Sequence, residues 1–276
     1  MPAIAYISCA PMRHAACPLC GGAFSPTLLN AKEMMFGTRE SFAYRRCSAC
    51  GALILAEPPS DLSPYYAEGY YSMNPPKLVH DGALSAMVKK WRANVLLRLP
   101  AVLVAQLAIS ERVPQFFLWL AGRGLTTSAS VCDVGAGSGQ LLYDMARQGF
   151  TRLLGIDPYL DAEVSQGPVR LERRGLDDLD ELYDLIMLNH VFEHMSDPRA
   201  TLTTLRDRLR SGGTIVIRVP VADSDTAETY GGDWVQLDPP RHLVVPTDAG
   251  MRAVAEACGL TLTRTFPRQH RVSVLG

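Results

Sequence analysis

A short apolar strand that runs into a loop with glycine at every second position constrains this chain more than any other feature. The stretch is "VCDVGAGSGQLL", Val131 to Leu142. Gly135, Gly137 and Gly139 permit positive φ and let a ligand approach bare backbone. After the loop, Leu141, Leu142, Met145 and Ala146 recur at helical spacing up to Gly149, which suits a C-terminal cap. A strand–loop–helix unit of this kind belongs in a parallel sheet covered on both faces. The C-terminal half repeats the alternation. "RLLGIDP", "VRLER", "LYDLIMLNHVF" and "TIVIRVP" read as strands, and "LTLTRTFP" with "RVSVLG" as a closing hairpin. "DPRATLTTLRDRLRSGG" reads as a helix with Leu202, Leu205 and Leu209 on one face, and "TDAGMRAVAEACG" as another.

What the loop holds is narrowed by its neighbours. A P-loop is excluded, because no Lys followed by Ser or Thr ends the glycine run. Asp133, at the start of the loop, opposes a phosphate but accepts from an ammonium. Asp157, 22 residues after Gly135, closes the next strand and is placed to accept from two ribose hydroxyls. The polar run in "DLIMLNHVFEHMSDP" lies at the carboxyl end of a parallel strand, where ligands bind in α/β sheets. Together these features favour an adenosyl ligand with an amino acid end over a pyrophosphate.

The cysteines carry a second, independent signal. "CPLC" and "CSAC" are separated by 26 residues, and each is followed by glycine. Two residues between cysteines let one turn present both thiolates to one ion, so Cys17, Cys20, Cys47 and Cys50 are expected to hold a structural zinc with no open coordination position. Cys9, Cys132 and Cys258 fall in a tail, a strand and a helix and are read as unrelated.

The N-terminus lacks a basic region followed by an apolar core, so no secretory signal is expected and the location is read as cytoplasmic. The segment from about Leu84 to Leu120 is strongly apolar but interrupted by Arg98, Pro100, Glu111, Arg112 and Pro114. It is too broken for a membrane span. It reads as helices that are buried or bridge domains, with Trp91, Leu96, Val102 and Leu107 as an inward face; a surface that meets lipid or another subunit is the alternative. The expected division is a tail over 1–14, a four-cysteine zinc-binding module over 15–60, a tyrosine-rich linker and helical lid or bridge over 61–125, and the adenosyl-binding domain over 126–276. With 27 basic and 28 acidic side chains the net charge is −1, which gives no electrostatic footprint for nucleic acid.

As a set, "VCDVGAGSGQLL", "GIDP", "DLIMLNHVFEHMSDP" and "GGTIVIRVP" closely resemble the class I S-adenosylmethionine-dependent methyltransferases, over about Val131 to Gly276. The resemblance implies a Rossmann-like sheet of seven strands, the last antiparallel. It places the cofactor against Asp133, Gly135, Ala136, Gly137, Gly139 and Gln140, against Asp157 and Pro158, and beside Leu176 and Asn189. The cysteine knuckles, the tyrosine cluster, the "EH" pair and "LDPPRHL" are similar to a bacterial group tied to sugar modification and antibiotic pathways. The deoxysugar C-methyltransferases share the zinc-binding front end but carry a further C-terminal domain that this chain does not show.

Methyl transfer is an in-line displacement, so the protein aligns nucleophile and methyl and removes a proton where the nucleophile carries one. A base with pKa near neutral serves this, and His190, His194 and His242 are the candidates, with Glu193 beside them. Each has a packing or hydrogen-bonding role as its alternative. Arg241 is read either as a clamp for an acceptor phosphate or carboxylate or as a loop salt bridge. Tyr65, Tyr66, Tyr70 and Tyr71 are read as a lid over the active site, with Tyr66 and Tyr70 facing the substrate and Tyr71 also as catalytic, or as packing for the zinc module. "HVFEH" spells a zinc-peptidase pattern, but that pattern needs a helix and here it follows a strand. The expectation is a methyltransferase acting on a small molecule: a sugar, nucleotide-sugar or secondary metabolite. An RNA acceptor and a non-catalytic regulatory role are the alternatives.

Overall fold

The computed structural model describes residues 14–66, 76, 78, 81–108, 113–266 and 271–275. In chain order the strands and helices begin with β1 (Phe24–Lys32), β2 (Ser41–Cys47), β3 (Leu53–Leu55), α1 (Ala83–Arg98), α2 (Ala101–Ala108) and α3 (Phe116–Leu120). They continue with β4 (Ser130–Val134), α4 (Gln140–Arg147), β5 (Arg152–Ile156), β6 (Val164–Gln166), β7 (Val169–Glu172), β8 (Tyr183–Asn189), α5 (Pro198–Asp207) and β9 (Leu209–Val219). The last are α6 (Asp225–Tyr230), β10 (Val244–Val245), α7 (Asp248–Ala257), β11 (Leu262–Phe266) and β12 (Arg271–Leu275). Two sheets result, one ordered β1-β2-β3-β10 and one ordered β11-β12-β9-β8-β4-β5-β7-β6. The chain divides into two compact units, one from residues 71–187 and 208–216, the other from 1–70, 188–207 and 217–276.

The unit containing 71–187 holds the parallel heart of the larger sheet. All five residues of β4 are buried, as a strand covered on both faces requires, and β4 pairs in parallel with β5 and β5 with β7. α4 buries Leu142, Tyr143 and Met145. It ends as expected at Gly149, with φ 92, where the N–H of Phe150 reaches the Met145 carbonyl and that of Gly149 the Ala146 carbonyl. An antiparallel edge strand, β6, joins β7 through Gly167. It was not foreseen and makes the sheet eight-stranded instead of seven. The foot of the sheet is locked by Asp184, which accepts from the backbone and hydroxyl of Ser130 and pairs with Arg210 at 3.1 Å.

That lock bears on a misplaced boundary. α5 stops at Asp207, and Leu209 and Arg210 already belong to β9, so Leu209 is not on the helical face expected of it. A second correction concerns the 84–120 segment. Leu96 is buried, but Trp91, Val102 and Leu107 are exposed. Ala93, Leu96 and Leu97 form the inward face of α1, and Phe116, Phe117, Trp119 and Leu120 are buried in α3.

In the other unit the small sheet is antiparallel throughout, and its last strand, β10, is contributed from far along the sequence. Thr247 caps α7 by accepting from the Gly250 N–H at 3.0 Å. β11 and β12 form the antiparallel hairpin read from the sequence.

Candidate functional site

The glycine loop is shaped by its backbone. Gly135, Gly137 and Gly139 all lie at positive φ, 68, 52 and 77°. A Cβ on Gly139 would stand 2.8 Å from the Leu171 side chain, so both conformation and space demand glycine there. The N–H groups of Gly135 and Ala136 donate to the Ile156 carbonyl, which ties the loop to the end of β5. Asp133 is buried beneath it, and Gln140 opens α4 half-buried.

Asp157 closes this arrangement. Its Oδ2 accepts from the Gly137 N–H at 3.0 Å and its Oδ1 from the Tyr159 N–H at 2.9 Å. Each oxygen keeps a second lone-pair direction, the requirement for receiving paired ribose hydroxyls. Burial raises the Asp157 carboxyl above its ordinary range, and the two backbone N–H groups oppose that rise. Pro158 follows, half-buried, and Leu176 opens a single 3-10 turn, Leu176–Asp178, also half-buried. Asp133, Gly135, Ala136, Gly137, Gly139, Gln140, Asp157, Pro158 and Leu176 are thus all in the unit containing 71–187.

In the other unit, four polar side chains gather where β8 ends. Asn189 is the last strand residue. His190 then adopts φ 56°, a left-handed conformation that costs a non-glycine residue energy and recurs at functional sites. A single 3-10 turn, Phe192–His194, follows. Glu193 is fully buried at its centre. His190 Nδ1 lies 3.3 Å from Glu193 Oε1 and His242 Nε2 lies 3.9 Å from the same oxygen, while Glu193 Oε2 has no hydrogen-bond partner among the described residues. Burial opposes the Glu193 charge, but the hydrogen bond from His190 and the surrounding imidazoles outweigh it and hold the carboxyl below its usual range.

The three imidazoles are not equivalent. His242 donates from Nδ1 to the Gln236 carbonyl at 2.9 Å, and burial with the His194 ring beside it pulls its pKa down to about 4. It is neutral at physiological pH and too weak a base to hold a proton there. His194 donates from Nδ1 to the Arg241 carbonyl at 2.9 Å, with the Tyr66 hydroxyl 3.2 Å from the same nitrogen, and its ring packs edge-on against His242 at 4.8 Å. His190 is more accessible than His242, with Nδ1 aimed at a carboxylate and the lone pair consequently on Nε2.

Arg241 takes the salt-bridge alternative and not the clamp. It is fully buried, donates from Nη2 to Glu33 at 2.9 Å and from Nη1 to the Tyr65 carbonyl at 2.9 Å, and forms a forked pair with Asp238. Tyr66 is brought to His194; Tyr70 and Tyr71 lie outside the described residues. Sequence reasoning missed Glu33, Asp238 and Tyr44. The buried Tyr44 hydroxyl lies 2.8 Å from the His242 carbonyl and 3.1 Å from that of Leu237, pinning the segment that carries His242. Tyr44 and Glu33 meet their partners in this segment about 200 positions away, whereas Asp238 pairs with Arg241 only three positions on.

The cysteine knuckles meet as the spacing predicts. Cys17 and Cys50 Sγ atoms are 3.7 Å apart, those of Cys20 and Cys47 3.4 Å, and all four lie within 4.8 Å of one another. A tetrahedron of Zn–S bonds has S···S edges of about 3.8 Å, so the donor set fits zinc, and these separations are far too long for disulfides. Backbone N–H groups of Gly22 and Cys50 point at the sulfurs of Cys20 and Cys47. Within the crowd, hydrogen bonding from Cys50 lowers the Cys17 thiol to about 5, while sharing that proton pushes Cys50 up.

A family described as "Methyltransferase domain" matches residues 105–265. A tRNA U34 carboxymethyltransferase of Alteromonas mediterranea is 30% identical over 131 residues, 42% of this chain and 38% of that one. Its counterpart in Shewanella amazonensis is 34% identical over 114 residues, 36% and 34% of the two chains. The chain thus spans little more than a third of the length of these curated relatives. Among solved structures, Burkholderia thailandensis 1,6-didemethyltoxoflavin-N1-methyltransferase, with bound 1,6-didemethyltoxoflavin and S-adenosylhomocysteine, is 14% identical and covers 89% of this chain and 98% of its own, with a TM-score of 0.48. The family match takes in more than half of the chain, including the glycine loop, Asp157, the His190–Glu193 turn and the His242 segment: this protein belongs to the methyltransferase-domain family.

Proposed function

We propose that this enzyme methylates a small-molecule acceptor, a sugar, nucleotide-sugar or secondary metabolite, and that His190 removes the acceptor's proton. The observation that carries the reading is the His190–Glu193 pair. A histidine held at φ 56° directly after a sheet strand, with Nδ1 oriented by a fully buried carboxylate, is the arrangement of a base whose partner fixes its tautomer. Glu193 is then a positioning residue, and His194 and His242 hold the turn. On the donor side, Asp157 receives the ribose hydroxyls and Asp133 faces the ammonium end. S-adenosylmethionine supplies an electrophilic methyl; the chain's residues align it and take up one proton. Zinc on Cys17, Cys20, Cys47 and Cys50 is structural, residues 15–60 act as its module, and 61–125 act as a bridge.

The names of the curated relatives favour a second reading, an RNA acceptor. The matched length and the net charge of −1 weigh less on that side than on the small-molecule side. Labelled methyl transfer from S-adenosylmethionine to candidate acceptors, compared between wild type and His190→Gln, tests the proposal. The variant is expected to lose roughly 10²- to 10⁴-fold in kcat with S-adenosylhomocysteine affinity unchanged. Unaltered kcat removes His190 from the chemistry. RNA binding that falls steeply with salt moves the acceptor to nucleic acid.

A further inference from the structure

α1 is apolar on both sides. Ala93, Leu96 and Leu97 face inward, while Leu84, Met87, Val88, Trp91 and Val95, spaced as i, i+3, i+4, i+7 and i+11, line one exposed face. Val102, Leu103 and Leu107 of α2 add to the exposed apolar surface. Contiguous apolar patches on a soluble surface mark an interaction site. Beside the stripe, Ala86, Met87 and Lys90 line an open groove of about 680 Å³ together with Tyr143, Phe150 and Pro168.

The charge around this face selects its occupant. Residues 82–108 carry four cations, Lys89, Lys90, Arg92 and Arg98, and no carboxylate, in a chain whose net charge is −1. Lys89 is engaged by Asp81 and Arg92 by Gln148, but Lys90 and Arg98 are exposed. A tryptophan amid aliphatics, with cations alongside, is the composition of a helix that lies in a lipid headgroup region. No described helix is long and apolar enough to cross a membrane. A second copy of the chain is a poorer fit, because a two-fold contact through this face sets like cations against each other.

We propose that the exposed face of α1 and α2 docks on an anionic lipid bilayer surface, lying along it without spanning it. The test is flotation of the full chain with vesicles of phosphatidylglycerol and phosphatidylcholine in equal parts, against phosphatidylcholine vesicles alone. Tryptophan emission is read in parallel: Trp91 is 70% exposed, whereas Trp119 and Trp234 are each 5% exposed, so a blue shift on binding reports Trp91. The expected result is flotation and a blue shift with the anionic vesicles only, reversed by high salt. At about five-fold per cation, Lys90→Glu with Arg98→Glu lowers partitioning roughly thirty-fold or more. Trp91→Glu abolishes it while the circular-dichroism melt stays unchanged. No flotation on anionic vesicles, or equal flotation on both kinds, overturns the proposal. So does a concentration-dependent dimer in solution that Trp91→Glu dissolves, which assigns the face to a second copy.

Discussion

Replacing Arg241 with methionine tests whether this arginine ties the fold together or meets the acceptor. Its guanidinium is wholly inside the protein, held by Glu33 at 2.9 Å, by the forked pair with Asp238 and by the Tyr65 carbonyl. Methionine fills much of the stem's volume but leaves Glu33, itself fully buried, without its cation. Breaking a buried pair by removing one partner costs about 3–5 kcal/mol. At about 2–4 °C per kcal/mol for a domain of this size, Tm falls by roughly 6–20 °C. The pH dependence gives a second reading. Burial works against ionised Glu33, but the Phe36 and Thr38 N–H groups, the Thr38 hydroxyl and Arg241 outweigh it and bring its pKa down to about 2. A carboxyl depressed in the folded state stabilises above its unfolded pKa, and that stabilisation is lost as pH falls through the folded value. Wild type therefore loses this increment between about pH 4.5 and pH 2, and Glu33→Gln does not. Thermal melts of Arg241→Met, Glu33→Gln and the double variant across that range form the assay, and the two single effects are expected to be strongly non-additive. A melt of Arg241→Met within a degree or so of wild type, with a raised KM for the acceptor instead, would refute the structural tie and restore the clamp.

Asp157→Ala removes the carboxylate proposed to receive two ribose hydroxyls; at about 1.5–3 kcal/mol per charged hydrogen bond, calorimetry should show S-adenosylmethionine affinity reduced by at least ten-fold. Metal analysis should find about one zinc per chain, and either a chelator or Cys50→Ser should lower Tm sharply; wild type that is metal-free and fully stable removes the zinc assignment. Gly139→Ala places a Cβ against Leu171 at a positive φ, so a loss of more than about 1 kcal/mol in urea unfolding, with weakened cofactor binding, is expected.

Local signals served the sequence reading well wherever a residue's role depends on its neighbours in the chain. The glycine loop, the α4 cap, the C-terminal hairpin and the two knuckles are of this kind. The boundary at Leu209 failed because a helical pattern of leucines competes with a partner far away: Arg210 is fixed in β9 by Asp184 and Ser130. Trp91, Val102 and Leu107 are read as inward because these helices carry apolar residues on more than one face, so the pattern gives no single direction. Of the site, the residue types at 190, 193, 194 and 242 were visible, but their ranking was not. It needed the burial of His242, the carboxylate oxygen shared by His190 and His242, and the left-handed backbone at His190. Arg241 was equally undecidable, because its partner Glu33 lies 208 positions earlier.

The small antiparallel sheet has an implication for how the molecule is made. β3 finds its outer neighbour only in Val244–Val245, the Cys50 carbonyl receives the Thr247 hydroxyl at 2.5 Å, and Tyr44 and Glu33 wait for His242 and Arg241. Such distant pairings form late, because a long loop must close first. During synthesis the knuckle cysteines therefore emerge well before the segment that completes their surroundings, with most of the chain still to come. Metal captured early would keep four thiols out of wrong pairings until the distant strand arrives.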